Sequence, residues 1–361
     1  MTPGQETTSV PSAPSGPIPT HQVLSRPVPA RFMRDIIIGL VLVGIMAALP
    51  WFAGNRYIIG QLIVFCLWAT VAMQWNLLLG YAGIFSLGQL ALYACGAYAT
   101  AMLCFFLHWS LWLAMPVAAV ITAILGLAMG AASLRLRGPY VALLTFAIAQ
   151  VIYVLIVTEA DCFTYIDGVC QQLFGGSRGL SHFGDLGFRK LMGYKFIYGN
   201  FYLALALLVV STIVTLMIIR GPMGLAFRAL RDNPGYAISR GINRFKYQLL
   251  VFAISAFFTG LAGAVQAAHF NSAGPSLFSP ALLLFLLAAI VIGGAGRFWG
   301  STVGVALLML IDEGLKEFSD YRSIGLGLLI AIFVILLPQG LTGWIAQLVE
   351  KFRSARRTDL R

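Results

Sequence analysis

"GIFSLGQLALYACGAYATAMLCFFL", residues 83 to 107, runs for 25 positions without a charged side chain. An α-helix rises about 1.5 Å per residue, so roughly 20 such residues cross a bilayer core of about 30 Å. The run is far longer than a tilted barrel strand needs, and only helices or closed barrels satisfy their backbone in hydrocarbon. Comparable runs recur near 36 to 53, 57 to 79, 111 to 134, 140 to 158, 198 to 219, 248 to 270, 281 to 295, 301 to 318 and 324 to 343. The expected fold class is therefore an all-α polytopic membrane protein of about ten transmembrane helices. Composition agrees: 59% of the 361 residues are apolar and only 10% charged, too little polar surface for a protein solvated by water alone.

The net charge of +11 raises nucleic acid as a partner, but its distribution argues for membrane topology. With a cytoplasmic N-terminus, ten crossings leave 17 of the 24 Lys and Arg inside and 7 outside, the expected positive-inside asymmetry. The inside set includes Arg26, Arg31 and Arg34, then Arg135 and Arg137, six residues around 220 to 246, and five from Lys351 to Arg361. Both termini are thus expected in the cytoplasm. The first 33 residues hold seven of the fifteen prolines and read as a disordered cytoplasmic tail. Residues 34–345 form the expected transmembrane domain, with an outer loop at 159–197 and a cytoplasmic loop at 220–247; residues 346–361 form a basic cytoplasmic tail. The first apolar run lies too deep in the chain for an ordinary signal peptide and is expected to be retained.

Several chemistries lack their residues. There is no Gly-x-x-x-x-Gly-Lys-Ser/Thr stretch, so the chain has no phosphate-cradling loop with which to hydrolyse ATP. His21, His108, His182 and His269 are scattered without metal-ligand spacing, and no Cys-x-x-Cys occurs. No Asp or Glu lies between Asp35 and Glu159 or between Asp232 and Asp312. Ion-coupled carriers keep ionisable groups at membrane depth, and membrane enzymes need a catalytic dyad or metal cluster there; both are disfavoured. Asp312, Glu313, Lys316 and Glu317 read as a solvated or snorkelling helix end. Cys66, Cys95 and Cys104 read as small buried hydrophobes, while Cys162 and Cys170 in the outer loop either form a disulfide or remain two thiols.

Against this apolar background, "GLAFRALRDNPGYAISRGIN", residues 224 to 243, is unusual. Gly224 to Asp232 has helical composition, and Arg228 and Arg231 are three apart, hence neighbours on one face. A second short helix follows, with Asn233 as N-cap, Pro234 at the first helical position and Gly241 as left-handed C-terminal cap. So short a helix is unstable alone in water and needs a surface, either anionic headgroups or a partner's groove. Two further stretches, "GYAGIFSLGQ" at 80 to 89 and "GGAGRFWGSTVG" at 293 to 304, share Gly-x-Ala-Gly-x-Phe between apolar runs. Gly80, Gly83, Gly88, Gly293, Gly294 and Gly296 mark either discontinuous helices beside a transport path or tight helix packing.

Five stretches, "GYAGIFSLGQLALYACGAYAT", "LRLRGPYVALLTFAIAQ", "GGSRGLS", "ALRDNPGYAISRGINRFKYQLLVFAISAFFTGLAGAVQA" and "VIGGAGRFWGSTVGVALL", occur in this order. In that order they resemble the LivM-type permease subunits of branched-chain amino acid ABC importers, over about residues 57 to 343. The resemblance implies a multi-pass subunit of a bacterial inner membrane. Its partners would be a homologous second permease, two cytoplasmic ATPase subunits that bind ATP and Mg, and a periplasmic solute-binding protein. It also implies that Arg228, Arg231, Asp232, Asn233, Pro234, Tyr236, Arg240 and Gly241 form the segment that contacts the ATPase. The chain departs from the pattern at Pro234, Gly235, Tyr236 and Ile238, where acidic and alanine residues are usual.

Such a permease carries no cofactor and does no covalent chemistry. Its path needs a few convergent polar groups in an apolar cavity, for which Gln74, Asn76, Ser86, Gln89, Thr145 and Gln150 are the candidates. Each can instead serve as an interhelical hydrogen bond. The cargo of such permeases is a branched-chain amino acid, or in close relatives urea, short amides or other small solutes. A stand-alone carrier or channel is the alternative from outside the family.

Overall fold

The computed structural model describes residues 29–52, 55–136, 138–166, 169–188, 193, 196–316, 325, 327–328, 330–333 and 340–343. The chain divides into two units, Met1–Met46 and Ala47–Arg361. The first holds most of helix α1 (Pro29–Phe52), which opens on a proline where a helix has no use for the missing N–H. α1 thus starts inside the stretch read from sequence as tail; residues 1–28 and 344–361 lie outside the described residues.

The second unit is built from α2 (Arg56–Asn76), α3 (Gln89–Leu107), α4 (Leu111–Ser133), α5 (Pro139–Val157) and α6 (Phe196–Arg220). Two short helices follow, α7 (Pro222–Asp232) and α8 (Pro234–Ser239), then the long α9 (Arg244–Phe270), α10 (Pro280–Gly293) and α11 (Gly300–Leu315). Among the described residues, six helices are long and apolar enough to cross a membrane: α2 with its extension to Tyr81, α3, α4, α5, α6 and α9.

The expected run at 36 to 53 falls almost wholly within the 24-residue α1, and the run at 301 to 318 begins with α11 and ends outside the described residues. The run at 281 to 295 is shorter than expected, because α10 has 14 residues, about 21 Å, against a core of about 30 Å. α10 stops because the chain turns back through Gly294 and Gly296, both at positive φ, into α11 of 16 residues. The expected run at 324 to 343 lies mostly outside the described residues. The run at 83 to 107 is also corrected, because residues 82–88 are not helical and α3 begins only at Gln89.

α9 is the central helix, packed against α3 and α4 and also against α2. The approach to α3 and α4 is close because small residues face each other. A Cβ on Gly96 would overlap the backbone of Gly260, one on Gly263 the carbonyl of Tyr93, and one on Gly126 the side chain of Ala256. In lipid, association depends on such van der Waals contact, because lipid tails are as apolar as the helix faces.

Two small sheets interrupt the all-α expectation. β1 (Thr164–Ile166) and β2 (Val169–Gln171) form a hairpin in the 159–197 loop, and Glu159 accepts the backbone N–H groups of Leu173 and Phe174 at 3.0 and 2.7 Å. β3 (Leu180–Ser181) pairs with β4 (Ser272–Ala273), which ties this loop to the connection after α9. Strands of two or three residues carry no period that a sequence pattern can reveal. Cys66, Cys95 and Cys104 are free thiols, and Cys162 is disulfide-bonded; the Cys170 side chain lies outside the described residues. At the end of α11, Tyr57 donates to Glu313 at 2.7 Å, Gln61 donates to Tyr57 at 3.1 Å, and Lys316 pairs with Glu313. That exposed cluster satisfies itself, as a helix end does; Glu317 lies outside the described residues.

Gly263→Val places two methyls against the Tyr93 backbone, which cannot yield as a flexible side chain can. The expected cost is at least about 1–3 kcal/mol, read as a lowered melting temperature of the detergent-purified chain, whereas Gly44→Ala, mid-helix with open space around it, does not lower it.

Candidate functional site

α2 does not end at Asn76 but widens into a π-helical turn, Leu77–Tyr81, and then leaves helical geometry. Such turns recur at functional sites because they shift backbone groups out of the regular ladder. Here the chain closes with the Ala82 N–H on Leu77 O at 3.1 Å and the Ile84 N–H on Leu78 O at 2.9 Å. Gly83 sits at φ +69°, which any residue bearing a Cβ adopts only under strain. Gly88 then precedes α3 as its N-cap.

The sequence candidates for the path gather around this first break. Gln74, Asn76, Ser86, Gln89 and Thr145 are all buried. Asn76 reaches across to the second break, where its Oδ1 accepts the Gly296 N–H at 2.8 Å and its Nδ2 donates to Arg297 O at 2.9 Å. Thr145 Oγ1 accepts the Leu87 N–H at 3.0 Å, and Ser86 O accepts the Trp75 indole N–H at 2.8 Å. Gln89 donates to Ser255 at 2.8 Å and also to Thr259, while Ser255 donates to Gln74 O at 3.1 Å and Gln74 donates to Thr215 at 3.0 Å. These polar side chains thus tie α2, α3, α6 and α9 together. Gln74 Oε1 stays buried without a hydrogen-bond partner among the described residues. Gln150, five residues beyond Thr145 on α5, is half-buried and outside this network.

The two glycine breaks touch. A Cβ on Gly80 would overlap the backbone of Gly296 as well as Asn76 Oδ1, so neither glycine tolerates a side chain while the junction holds. A Cβ on Gly293 would overlap the Gly300 carbonyl and press on the Gly304 N–H, so the α10–α11 hairpin also closes backbone to backbone, and Thr342 donates to Gly293 O at 2.6 Å. Gly294 packs against Gly340.

The loop at 220–247 rests on this junction. Phe227, 1% exposed, anchors α7 in a cluster with Leu77, Leu78, Tyr81, Ile219, Val251 and Phe252. Arg228 lies over the Tyr81 ring, 5.2 Å from its centroid, and Arg231 donates to Gly80 O and pairs with Asp232 at 2.9 Å. The shared face of Arg228 and Arg231 therefore turns toward the first break. α8 has the expected caps: Asn233 Oδ1 accepts the Tyr236 N–H at 3.1 Å, Pro234 opens the helix, and Gly241 stands at φ +86°. The Gly241 N–H bonds Ile238 O and the Ile242 N–H bonds Ala237 O, the paired bonds of a Schellman end. Arg240 folds back on Tyr236 with two hydrogen bonds, 3.1 and 2.8 Å. Ala237 is buried, and Leu225, Tyr236 and Ile238 are 66%, 58% and 51% exposed.

A cleft of about 660 Å³ opens between the first break, the α4–α5 connection and α7–α8, with Gly83, Phe85, Pro139, Arg231, Ile238 and Arg244 in its walls. A smaller cavity of about 160 Å³ lies among α3, α4 and α5, walled by side chains such as Leu92, Met129 and Ile148. None of the six path candidates lines either cavity. Among the described residues no three His, Cys, Asp or Glu side chains gather as metal ligands would. The residues that sequence reasoning missed are Phe227, whose only signal is an apolar position in a polar loop, and Ser255, Thr259 and Thr215, which are ordinary small polar residues within spans.

The family model described as branched-chain amino acid transport system / permease component matches residues 57–337. The high-affinity branched-chain amino acid transport system permease protein LivM of Salmonella typhimurium is 31% identical over 277 residues, 74% of this chain and 65% of that protein. LivM of Escherichia coli gives the same values, so the chain spans 65% of the length of these curated relatives. The ribose import permease protein RbsC of Bacillus subtilis is 24% identical over 156 residues, 41% of this chain and 48% of its own. No solved structure matches this chain.

Removing the Asn233 cap costs about 1 kcal/mol, most of what a two-turn helix can lose. Asn233→Ala is therefore expected to speed amide exchange selectively over residues 236–242. Phe227→Ala, at about 3–5 kcal/mol, is expected to speed it over the whole of 222–242.

Proposed function

Because this chain belongs to the branched-chain amino acid permease family, we propose that it is a transmembrane permease subunit of a binding-protein-dependent ABC importer. Its partners are a homologous second permease, two ATPase subunits that bind ATP and Mg, and a periplasmic binding protein that delivers the solute. It lies in a bacterial inner membrane with both termini and the 220–247 loop in the cytoplasm and the 159–197 loop outside. The permease itself hydrolyses nothing; it moves.

The observation that carries this reading is the double-sided build of α7–α8. On one side Leu225, Tyr236 and Ile238 expose apolar surface on a capped, rigid helix pair, the form of a segment that enters a partner's groove. On the other, Phe227, Arg228 and Arg231 bear on the first glycine break. A plain headgroup anchor has no need of the second side. ATP-driven closure of the ATPases moves the loop, and the loop moves the breaks.

The cargo is a branched-chain amino acid or a related small neutral or zwitterionic solute, in keeping with spans that hold few ionisable groups. Among the six path candidates, Gln74 is the strongest, because its buried Oε1 is an acceptor without a partner among the described residues. Urea or a short amide is the second choice of cargo.

In proteoliposomes holding this chain, its second permease and the ATPases, with binding protein outside and ATP inside, leucine uptake is expected to require ATP hydrolysis. A charge introduced into an apolar docking surface is costly, so Leu225→Asp and Ile238→Asp are each expected to weaken retention of the ATPase at least about tenfold in pull-downs. Uptake that persists without the ATPases overturns the reading in favour of a carrier or channel.

A further inference from the structure

Arg231 keeps 40% of its side chain exposed, yet its guanidinium, beside Arg228 on the same helical face, is turned onto the first break. Its stem lies across Gly83 so closely that a Cβ there would overlap Arg231 Cγ. Its Nη1 donates to the carbonyl of Gly80, in the last turn of the helix that ends at Tyr81. The last carbonyls of a helix have no intrahelical partner and carry the negative end of the helix dipole, so a guanidinium bound there is held by both hydrogen bonding and charge. Its Nε is meanwhile fixed by Asp232 at 2.9 Å, which orients the planar fork.

From Gly80 the contact continues without a gap. Gly80 and Gly296 touch backbone to backbone, and a Cβ on Gly296 would lie 3.1 Å from Gly80 O and 3.6 Å from Arg231 Nη1. One helical turn before Gly80, Asn76 grips the same hairpin through the Gly296 N–H and Arg297 O. Displacing α7 relative to the spans must therefore break the Arg231–Gly80 bond or carry both breaks with it. We propose that Arg231 is a positioning residue, the strut that transmits movement of the 222–241 loop to the two glycine breaks together, rather than a contact to the ATPase. Gly83 is its seat, since only a residue without Cβ leaves room for the stem. The proposal rests on the importer reading above.

The test uses the reconstituted complex and reads leucine molecules imported per ATP hydrolysed, with ATPase retention measured in parallel. Hydrogen bonds to charged groups are worth about 1.5–3 kcal/mol, and this one is part-buried, so Arg231→Ala is expected to lower this ratio about tenfold while the ATPases stay bound. Arg231→Lys, which keeps charge and one donor, is expected to restore part of it. Gly83→Ala is expected to lower the ratio on its own by unseating the stem, yet to have little further effect in the Arg231→Ala background. An unchanged ratio in Arg231→Ala overturns the proposal, as does loss of the ATPase, which would make Arg231 a docking contact. If Arg231→Ala does not fold, full coupling in Gly83→Ala overturns it. Failure of the unsubstituted complex to import leucine at the expense of ATP overturns the importer reading instead.

Discussion

A helix that stops among packed neighbours leaves carbonyls and amides whose buried members need partners within the protein. This chain has two such stops, after Tyr81 and after Gly293, and the rest of its central architecture follows from satisfying them. Asn76, Trp75, Thr145, Arg231 and Thr342 each spend a polar group on backbone freed there. The partners come from distant parts of the sequence, so the breaks are also where α2, α5, α7 and the 340–343 segment are locked together. Glycine is required at their meeting point because backbone touches backbone, leaving no volume for a Cβ at Gly80.

The same constraint accounts for the buried polar residues, which serve as interhelical ties in this structure. Gln74, Gln89 and Ser255 form such ties between α2, α3 and α9. In a medium without competing water, hydrogen bonds of this kind contribute about 0.6 to 2 kcal/mol each. The close packing of α9 on α3 and α4 at Gly96–Gly260 and Gly126–Ala256 lies beside these ties and completes the frame.

The basic loop belongs to this frame on one side only. Phe227 is sunk into the cluster that includes Leu77, Leu78 and Tyr81, whereas Leu225, Tyr236 and Ile238 face outward. A two-turn helix has too little internal stability to keep that arrangement by itself. The Asn233 cap, the Gly241 end and the buried Ala237 supply what its length does not.

Membrane class, all six long spans apart from the start of α3, the position of both glycine breaks and the caps of α8 were legible in the sequence, because each rests on local chemistry: apolar length, glycine, or an Asn-Pro start with a glycine end. Span count was less legible, since apolar composition does not say whether a run such as 281 to 295 crosses or turns back. That is decided by the Gly294 and Gly296 conformations and by the backbone they meet. Nor does the sequence say which way Arg228 and Arg231 point. Their spacing places them on one helical face, but whether that face meets a partner or Tyr81 and Gly80 depends on how Phe227 seats α7 in the core. Local periodicity determined what each segment of this protein is; only packing over separations of 151 to 221 residues decided what its polar groups hold.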